Sequence, residues 1–382
     1  MTITQDIRYI GANDHDIDLF EGQYAVPNGV SYNSYVILDE KVAVMDTVDH
    51  RKTNEFLTNL ERELNGRRVD YLVVDHLEPD HASSIGTFVE KHPEAQLVGN
   101  AKTFQMLPQF FDLDLSRAIT VKEGDTLSLG RHVLHFVMAP MVHWPEVMMT
   151  YDSTDKVLFS ADAFGKFGAL DVEEPWLDEA RRYYLNIVGK FGANVQSVLK
   201  KAAGLDIAMI CPLHGPVLTE TIPQVLAVYD LWSRYMPETD GVLVAYASLH
   251  GNTAQAANAL ADRLEAAGME VQRMDLARCD ASLALAEAFR YSKVVLAASS
   301  YNGGVVPCME DFLRHLLIKN YQKRTFALME NGSWGPCAVR TMKGLLEQMK
   351  DITVIEPIIT LRGTLKERDL PQLDALAKAL VD

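Results

Sequence analysis

Residues 73–84 read VVDHLEPDHASS, and this segment carries the strongest functional signal in the chain. Directly after an apolar run, six residues contain four side chains that can bind metal: His76, Glu78, Asp80 and His81. Pro79 has no backbone N–H and favours extended geometry at the residue before it. We therefore predict an extended loop rather than a helix, in which residues two apart point to the same side. His76, Glu78 and Asp80 then converge on one metal ion, while His81 faces a second ion beside it.

Length and composition indicate a globular protein with two domains. The 382 residues are too many for one ordinary core, and 48% of them are apolar. No stretch approaches the roughly 20 uninterrupted apolar residues that a membrane span needs. The first residues, MTITQDIRYIGANDHD, lack a basic start followed by an apolar core, so we expect no secretory signal and a cytoplasmic location.

Charge and cysteine content argue against several kinds of partner and cofactor. The net charge of −16, from 36 basic and 52 acidic residues, repels phosphate backbones and anionic lipid, so we expect neither nucleic acid nor a membrane as partner. The cysteines form no C-x-x-C pair, so they indicate neither a disulfide framework nor a metal cluster. We interpret all four as reduced packing residues: Cys211, Cys279, Cys308 and Cys337.

The pattern of apolar residues divides the chain near residue 235. The clearest strands before that point are SYNSYVIL (31–38), KVAVMDTV (41–48), RVDYLVVDH (68–76) and HVLHFVMAP (132–140). Mixed with helices, they predict a sheet-rich α/β domain. An amphipathic stretch then ends in the polar run MPETDG (236–241). We place one domain at 1–238 and a second at 241–382.

The second domain alternates regularly between strand and helix. Its predicted strands are GVLVAYAS (241–248), KVVLAASS (293–300) and RTFALMEN (324–331). Its predicted helices are TAQAANALADRLEAAG (253–268), MEDFLRHLLIKN (309–320) and AVRTMKGLLEQMK (338–350). This alternation predicts a doubly wound parallel sheet, with Gly268 closing the first helix.

Three loops follow these strands, at the edge where open α/β sheets bind ligands. The first, residues 248–253, runs into a helix and offers hydroxyls and backbone N–H groups to an anion, although N-capping alone explains such a turn as well. It matches neither the Walker A pattern nor G-x-G-x-x-G. The other two, residues 299–304 and 331–335, each set an aromatic ring, Tyr301 or Trp334, among small polar residues.

This combination resembles flavodoxin over the span from about Gly241 to Asp382. The resemblance implies that the first loop holds the phosphate of FMN and that the other two embrace its isoalloxazine ring. The residues implied to bind FMN are Ser248, His250, Gly251, Asn252, Thr253, Ser300, Tyr301, Asn302, Gly303, Gly332, Ser333, Trp334 and Gly335.

Three further candidate metal ligands occur at strand ends downstream of the first loop: His143, Asp162 and His214. Taken singly, each is more readily explained as a turn-stabilising residue than as a metal ligand. Together with residues 76–81 they give the metallo-β-lactamase ligand order, with Glu78 in place of the second histidine. In that feature, and in the segments HWPE (143–146), SADAFG (160–165) and ARRYYLNI (180–187), the chain resembles the flavodiiron proteins.

The resemblance implies a metallo-β-lactamase-like αβ/βα sandwich followed by a flavodoxin-like domain. One iron is implied to take His76, Glu78 and His143. The other iron is implied to take Asp80, His81 and His214. Asp162 is implied to bridge the two ions. Carboxylate and imidazole suit iron, and a third carboxylate better tolerates a metal pair that passes between +2 and +3. Tyr183 and Tyr184 are candidate pocket-lining catalytic residues, although a core role explains them equally well.

The function implied is reduction of dioxygen to water or of nitric oxide to nitrous oxide. Because the sequence contains no pair of C-x-x-C motifs, we expect electrons from a separate rubredoxin-like donor, docking near Lys319, Lys323 and Arg324. The resemblance further implies a head-to-tail homodimer or a dimer of such dimers. Two alternatives stay open. One is a zinc hydrolase fused to a flavodoxin module, and the other is a flavodoxin-like electron carrier with a structural first domain.

Overall fold

The computed structural model describes residues 1–382, which divide into two compact units, Met1–Asp230 and Leu231–Asp382. The division falls within a helix, α7, which spans Ile222–Ser233. The sequence pattern put the boundary slightly later, between residues 238 and 241, and that finer division stays a prediction. The helices are all too short or too polar to span a membrane.

The first unit contains two larger sheets. Its strands are β1 (Ile7–Tyr9), β2 (Ala12–Asp14), β3 (Leu19–Phe20), β4 (Tyr24–Ala25), β5 (Val30–Tyr32), β6 (Tyr35–Leu38), β7 (Val42–Met45), β8 (Tyr71–Val73), β9 (Gln96–Asn100), β10 (Ile119–Val121), β11 (Thr126–Ser128), β12 (Val133–Met138), β13 (Met148–Asp152), β14 (Val157–Phe159) and β15 (Met209–Cys211). One sheet has the order β1-β6-β7-β8-β9-β10 and the other β11-β12-β13-β14-β15. Two small antiparallel two-stranded sheets, β2 with β5 and β3 with β4, lie outside them.

The apolar faces of these two sheets share one core. Ile37 and Val73 of the first sheet cluster with Leu134, Phe136 and Phe159 of the second, and all are almost fully buried. Strand residues two apart face the same way, so the alternation in HVLHFVM gives one side chain in two to this core. Each fully buried side chain of this kind contributes about 1.5–3 kcal/mol. The result is the sheet-on-sheet sandwich that the sequence predicted.

Helices cover the outer faces of the first unit. They are α1 (Thr53–Leu64), α2 (Pro79–Ala82), α3 (Ile85–Lys91), α4 (Ala101–Met106), α5 (Trp176–Ile187), α6 (Gly192–Ala202) and the start of α7, with short 3-10 turns at His50–Lys52, Leu107–Gln109 and Gly189–Phe191. Helix α1 shows why they form. It buries Phe56, Leu60 and Leu64, spaced about one turn apart, and ends where Asn65 adopts a left-handed conformation.

The second unit is a doubly wound sheet. Its elements are β16 (Thr239–Ala247), α8 (Asn252–Ala266), β17 (Val271–Asp275), α9 (Ala281–Arg290), β18 (Tyr291–Tyr301), β19 (Gly304–Val305), α10 (Pro307–Ile318), β20 (Gln322–Asn331), α11 (Ala338–Leu346), β21 (Lys350–Val354), β22 (Ile359–Leu361) and α12 (Leu370–Val381), with a 3-10 turn at Glu367–Asp369. The strand order is β17-β16-β18-β20-β21, with parallel pairing throughout. The fold predicted for this half of the chain is confirmed.

The order reverses between β16 and β18, and this is the point where ligands bind in such sheets. The fifth strand is split, because β21 pairs with the first half of β20 and β22 with its second half. Leu260 of α8 and Leu376 of α12 pack with Val244 and Val295 in one buried cluster. Gly268, just after α8, has a φ of +85°, as the sequence predicted for the end of that helix.

Candidate metal centre and flavin cleft

The loop after β8 is extended only as far as Glu78. A short helix, α2, begins at Pro79, with Glu78 as its N-cap residue at a ψ of 139°. The prediction of a fully extended loop was therefore wrong. Proline is well suited to the first position of a helix, because its fixed φ is already helical and the N–H it lacks has no partner there. Asp80 and His81 consequently lie in a helical turn, while His76 and Glu78 precede it.

Four side chains form a first group of potential ligands: His76, Glu78, His143 and Asp162. The Glu78 Oε2 atom lies 3.3 Å from the Nε2 atom of His76 and 2.9 Å from that of His143. Asp162 Oδ2 lies 3.2 Å from each of the same two nitrogens. Four donors placed about 2.0–2.1 Å from a shared ion in tetrahedral geometry lie about 3.3 Å apart. The group therefore has the spacing of a metal site.

Asp80, His81 and His214 form a second group. The Nε2 atoms of His81 and His214 lie 3.0 Å apart, and the Oδ2 atom of Asp80 lies 3.1 Å from the Nε2 atom of His214. The loop pattern predicted Asp80 on the side of His76 and Glu78, and this was wrong. The turn of α2 rotates Asp80 away from Glu78 and brings it to His81 and His214.

Asp162 lies between the two groups. Its Oδ2 atom faces His76 and His143, while its Oδ1 atom lies 3.2 Å from His81 Nε2 and 3.7 Å from His214 Nε2. One carboxylate thus offers an oxygen to each group. This arrangement fits a bridging ligand between two ions.

Burial and unpaired oxygens test whether these residues suit metal. His76, His81, Asp162 and His214 are all at most 1% exposed. Both carboxylate oxygens of Asp80 and the Oδ1 atom of Asp162 are buried without a hydrogen bond. An unsatisfied buried carboxylate is costly unless a cation compensates it, so the donor set fits a pair of cations.

The ionisation of the site is also unusual. Burial by itself lowers the pKa of His143, but hydrogen bonds to Asp162 and Glu78 outweigh it and raise that pKa to about 9. Burial raises the pKa of Glu78, but the hydrogen bonds to His143 and His76 hold it well below its usual value. Carboxylate and imidazole are the ligands that divalent and trivalent iron accepts.

Two acidic residues that support these ligands were missed by the sequence analysis. Glu146 Oε1 lies 2.8 Å from His76 Nδ1, and Asp46 Oδ1 accepts the backbone N–H groups of Asp75 and His76. Both carboxylates position His76, and both come from parts of the chain that are distant from it in sequence. The only local signals are the last letter of HWPE and the acid directly after the apolar run VAVM.

A third acid lies at the mouth of the site. Glu21 is exposed as a residue, but its carboxyl group is shielded beside Glu78. That shielding, together with the charge of Glu78, raises the pKa of Glu21 to about 8. No motif around Glu21 indicates this placement, because it lies in the turn between β3 and β4.

Tyr183 and Tyr184 have different surroundings. The ring of Tyr183 lies 5.5 Å from that of His214, and its buried hydroxyl has no hydrogen-bond partner. Burial, followed by the charges of Asp162 and Asp80, keeps the pKa of Tyr183 well above its usual value. Tyr184 packs against Tyr229 at 4.9 Å instead. Neighbouring helix residues point about 100° apart, so only Tyr183 faces the metal ligands, and we now interpret Tyr184 as a core residue.

A further histidine cluster is not a metal site. His132 is fully buried, with Nδ1 2.9 Å from Asp152 Oδ2, and Asp155 lies close by. The Arg131 guanidinium, however, lies 2.8 Å from His132 Nε2 and 3.2 Å from Asp155. A fixed cation already occupies the position that a metal would need, so we interpret this cluster as an ion-pair network.

The second unit contains a cleft of about 360 Å³ at the carboxyl ends of β16, β18 and β20. It is lined by the three loops in which FMN contacts were predicted. Of the predicted residues, all but Gly251 line it, and the additional lining residues are Leu249, Ser299, Asn331, Cys337 and Gly363. Gly363 comes from the segment after β22, which the sequence analysis did not connect with the cleft.

The first loop is built for an anion. Gly251 has a φ of +89°, and its N–H donates to the hydroxyl of Ser248 over 3.0 Å. Helix α8 begins at the next residue, so its free N–H groups open toward the cleft. Thr253 is buried and hydrogen-bonded to Ser299 at 2.9 Å, which fixes the loop against β18. The residues present fit the phosphate of FMN.

The aromatic loops fit a planar ring. Trp334 is 95% exposed and Tyr301 44% exposed, both at the rim of the cleft. Gly332 is required by close packing, because an added Cβ would lie 2.8 Å from the Cα atom of Pro336. The Ser300 hydroxyl accepts the N–H groups of Cys337 and Ala338, so it holds the third loop in place, and its O–H stays available as a donor toward the cleft.

Two of the predicted donor-docking positions, Lys323 and Arg324, lie at the amino end of β20. Arg324 is 3% exposed, and its guanidinium donates to the carbonyl oxygens of Tyr291, Tyr235 and Phe289. Lys323 lies at the amino end of β20, about 30 Å from the flavin loop at the carboxyl end of the same strand. Arg324 is therefore not available to a donor at the surface, while docking near Lys319 and Lys323 stays a prediction.

Comparison with known proteins agrees with this division. A model of the ODP family beta-lactamases matches residues 30–215, and a flavodoxin model matches residues 244–378. The anaerobic nitric oxide reductase flavorubredoxin of Vibrio vulnificus is 30% identical over 88% of this chain and 71% of its own length. A nitric oxide reductase of Moorella thermoacetica is 28% identical over 100% of this chain and 98% of its own.

Solved structures give the same result. The flavodiiron protein of Giardia intestinalis has a TM-score of 0.93 at 25% identity, over 99% of this chain and 95% of its own. Rubredoxin:oxygen oxidoreductase of Desulfovibrio gigas has a TM-score of 0.92 at 25% identity, over 100% of this chain and 97% of its own. A beta-lactamase-like unit that carries a carboxylate-rich double site, followed by a flavodoxin unit, defines an oxidoreductase that uses both metal and flavin. The chain belongs to the flavodiiron protein family, whose cofactors are FMN and a non-haem diiron centre.

Proposed function

We propose that this flavodiiron protein reduces dioxygen to water, nitric oxide to nitrous oxide, or both, with electrons that reach its metal centre through FMN. The observation that carries the proposal is the carboxylate-rich ligand set, in which Glu78 stands where metallo-β-lactamase hydrolases have a histidine. Two relatives named for nitric oxide reduction and one named for oxygen reduction support the substrate class. We assign His76, Glu78 and His143 to one iron, Asp80, His81 and His214 to the other, and Asp162 to both.

The protein's own contribution is to hold this site. When bound, a pair of ferrous ions can supply two electrons, one from each ion, and reduced FMN two more, which together match the four that dioxygen needs to become water. Glu78, Asp80 and Asp162 offset the positive charge of the metals. Phe20 and Phe167 pack around Tyr183 and limit access of water to that side of the site. The free hydroxyl of Tyr183 can donate a hydrogen bond to an oxygen or nitrogen atom held there.

The electron donor and the assembly belong to the same proposal. The Desulfovibrio gigas relative is named a rubredoxin:oxygen oxidoreductase, which supports a rubredoxin-like donor for this chain. We propose that this donor docks over the flavin cleft, where Tyr301 and Trp334 are exposed. We also propose a homodimer in head-to-tail arrangement, or a dimer of such dimers, and a cytoplasmic location.

Cofactor analysis and turnover test the proposal together. We expect the purified protein to hold two irons, one for each ligand group, and one FMN per chain. With rubredoxin reduced under anaerobic conditions as donor, addition of nitric oxide in one assay and of a measured amount of dioxygen in another should oxidise the donor. A protein that holds zinc in its active form, or that consumes neither gas when fully loaded with iron and FMN, would contradict the proposal.

Replacement of Trp334 by alanine tests the flavin cleft. We expect the iron content to stay unchanged and FMN to bind roughly fivefold more weakly, because an aromatic ring stacked on a flavin contributes about 1 kcal/mol beyond its area. Fluorescence of released flavin measures the affinity. Phe110→Ala is the control, since Phe110 is a 43% exposed aromatic in the other unit. If the affinity for FMN and the redox potential of the bound FMN both equal those of the parent, Trp334 does not contact the flavin.

A further inference from the structure

The two proposed metal positions differ in what supports their histidines. His76 Nδ1 hydrogen-bonds a carboxylate, Glu146 Oε1, at 2.8 Å. His214 Nδ1 donates to a neutral group, the backbone carbonyl of Ser31, at 2.7 Å. His81 Nδ1 is buried and has no hydrogen-bond partner. One position therefore has an anionic support, while the other has one neutral support and one unsupported ring.

Glu146 is held in place by one backbone N–H on its carboxylate and by a side-chain amide on its backbone carbonyl. Its Oε1 atom also accepts the N–H of Leu77 at 2.9 Å, and its own carbonyl oxygen accepts the Asn100 side-chain amide at 2.6 Å. The side chain is fully buried, and its Oε2 atom has no partner. A buried carboxylate that satisfies only one oxygen is an expensive way to stabilise a fold, because an apolar side chain would pack there without desolvating a charge. This cost points to a role in the site.

The hydrogen bond fixes the state of the His76 ring. A carboxylate can only accept, so the Nδ1 atom of His76 must carry the hydrogen. In the neutral ring the Nε2 lone pair is then free, and it faces the oxygens of Glu78 and Asp162. A carboxylate partner also makes the ring a stronger electron donor to a metal. The His81 ring has neither advantage, because no hydrogen bond selects its tautomer.

We propose that Glu146 is a positioning residue that makes the metal position of His76, Glu78 and His143 bind its ion more tightly than the position of Asp80, His81 and His214. The inference rests on the proposed function, in which these groups hold two irons. It goes beyond that function because it ranks the two positions. The ion beside His81 is released first, and the ion beside His76 is retained.

Iron release from the loaded protein tests the ranking. Under anaerobic conditions a ferrous chelator in excess should remove one iron per chain quickly and the second slowly. In Glu146→Gln, which keeps the shape and removes the charge, the slow phase should become roughly 10- to 100-fold faster, as is typical when such a partner of a ligating histidine is lost. Mössbauer spectra of parent and variant should differ in one of the two iron signals, the one that survives the fast phase.

Asp152→Asn is the matched control. Asp152 is also a buried carboxylate hydrogen-bonded to a buried histidine, His132, in the same unit but outside the two proposed iron positions. It should alter thermal stability without changing either release phase. Glu146→Asp, which keeps the charge but shortens the reach, should accelerate the slow phase as Glu146→Gln does.

Each outcome has one meaning. Equal release of both irons in the parent, or a slow phase unchanged in both Glu146 variants, overturns the ranking and leaves the proposed function intact. If neither Glu146 variant folds, His81→Ala decides, because it weakens only the position of Asp80, His81 and His214. Loss of the fast phase with an unchanged slow phase supports the inference, and loss of the slow phase refutes it. A protein that never binds two irons contradicts the proposed function instead.

Discussion

Glu78→His is expected to keep the fold, shift metal content from iron toward zinc, and lower gas reduction by about 100-fold or more. The exchange restores the neutral ligand of the hydrolase relatives and leaves Asp80 and Asp162 as the only carboxylates between the two positions. With less negative charge, the higher oxidation state of the metal pair is less stable, and the harder, redox-active ion loses its advantage over zinc. Metal analysis of protein made with both metals supplied, together with oxygen consumption, measures both effects.

The control for that exchange is Glu90→His. Glu90 is exposed on α3, so the variant makes the same change of side chain and charge outside the site. It should match the parent in iron content and rate. If Glu78→His keeps its iron and full activity, the third carboxylate does not tune the site, and the charge argument behind the proposed function is wrong.

The sequence predicted the members of the metal site better than their arrangement. His76, Glu78, His143 and His214 could be found because ligands at strand ends follow a recognisable order. The loop pattern taken alone put Asp80 with His76 and Glu78, because Pro79 was interpreted as a helix breaker, whereas at the first position of a helix it helps to start one. The family resemblance had placed Asp80 with His81 and His214, where the structure also has it. A proline can end a helix or begin one, and the residues that follow it decide which of the two occurs.

The residues missed by the sequence act over long separations. Glu146 supports His76 from 70 residues away, and Gly363 reaches the flavin cleft only because the fifth strand is interrupted before β22. Such pairings are set by the packing of whole sheets and leave no local pattern. Tyr184 is the opposite case. It was interpreted as functional because it adjoins Tyr183 in the same sequence segment, but its side chain packs against Tyr229 in the core.

Mixing two inactive variants should restore activity if flavin and iron of different chains cooperate. Glu78→Ala removes a proposed iron ligand and leaves the flavin cleft intact. Thr253→Arg fills the phosphate end of the cleft, where Thr253 is 2% exposed, and leaves the metal groups intact. Each variant alone should be inactive, because every flavin or every iron site is missing.

In a head-to-tail dimer, the flavin of the Glu78→Ala chain faces the irons of the Thr253→Arg chain. Random exchange of equal amounts gives half heterodimers, each with one working pair of two, so about a quarter of the parental activity should return. Subunit exchange is followed by mass spectrometry with one chain isotopically labelled, and melting curves verify that both variants are folded. Transfer within a single chain predicts no recovery, since no chain then holds both cofactors. Exchange that is complete by mass but leaves the mixture inactive would therefore refute transfer between subunits.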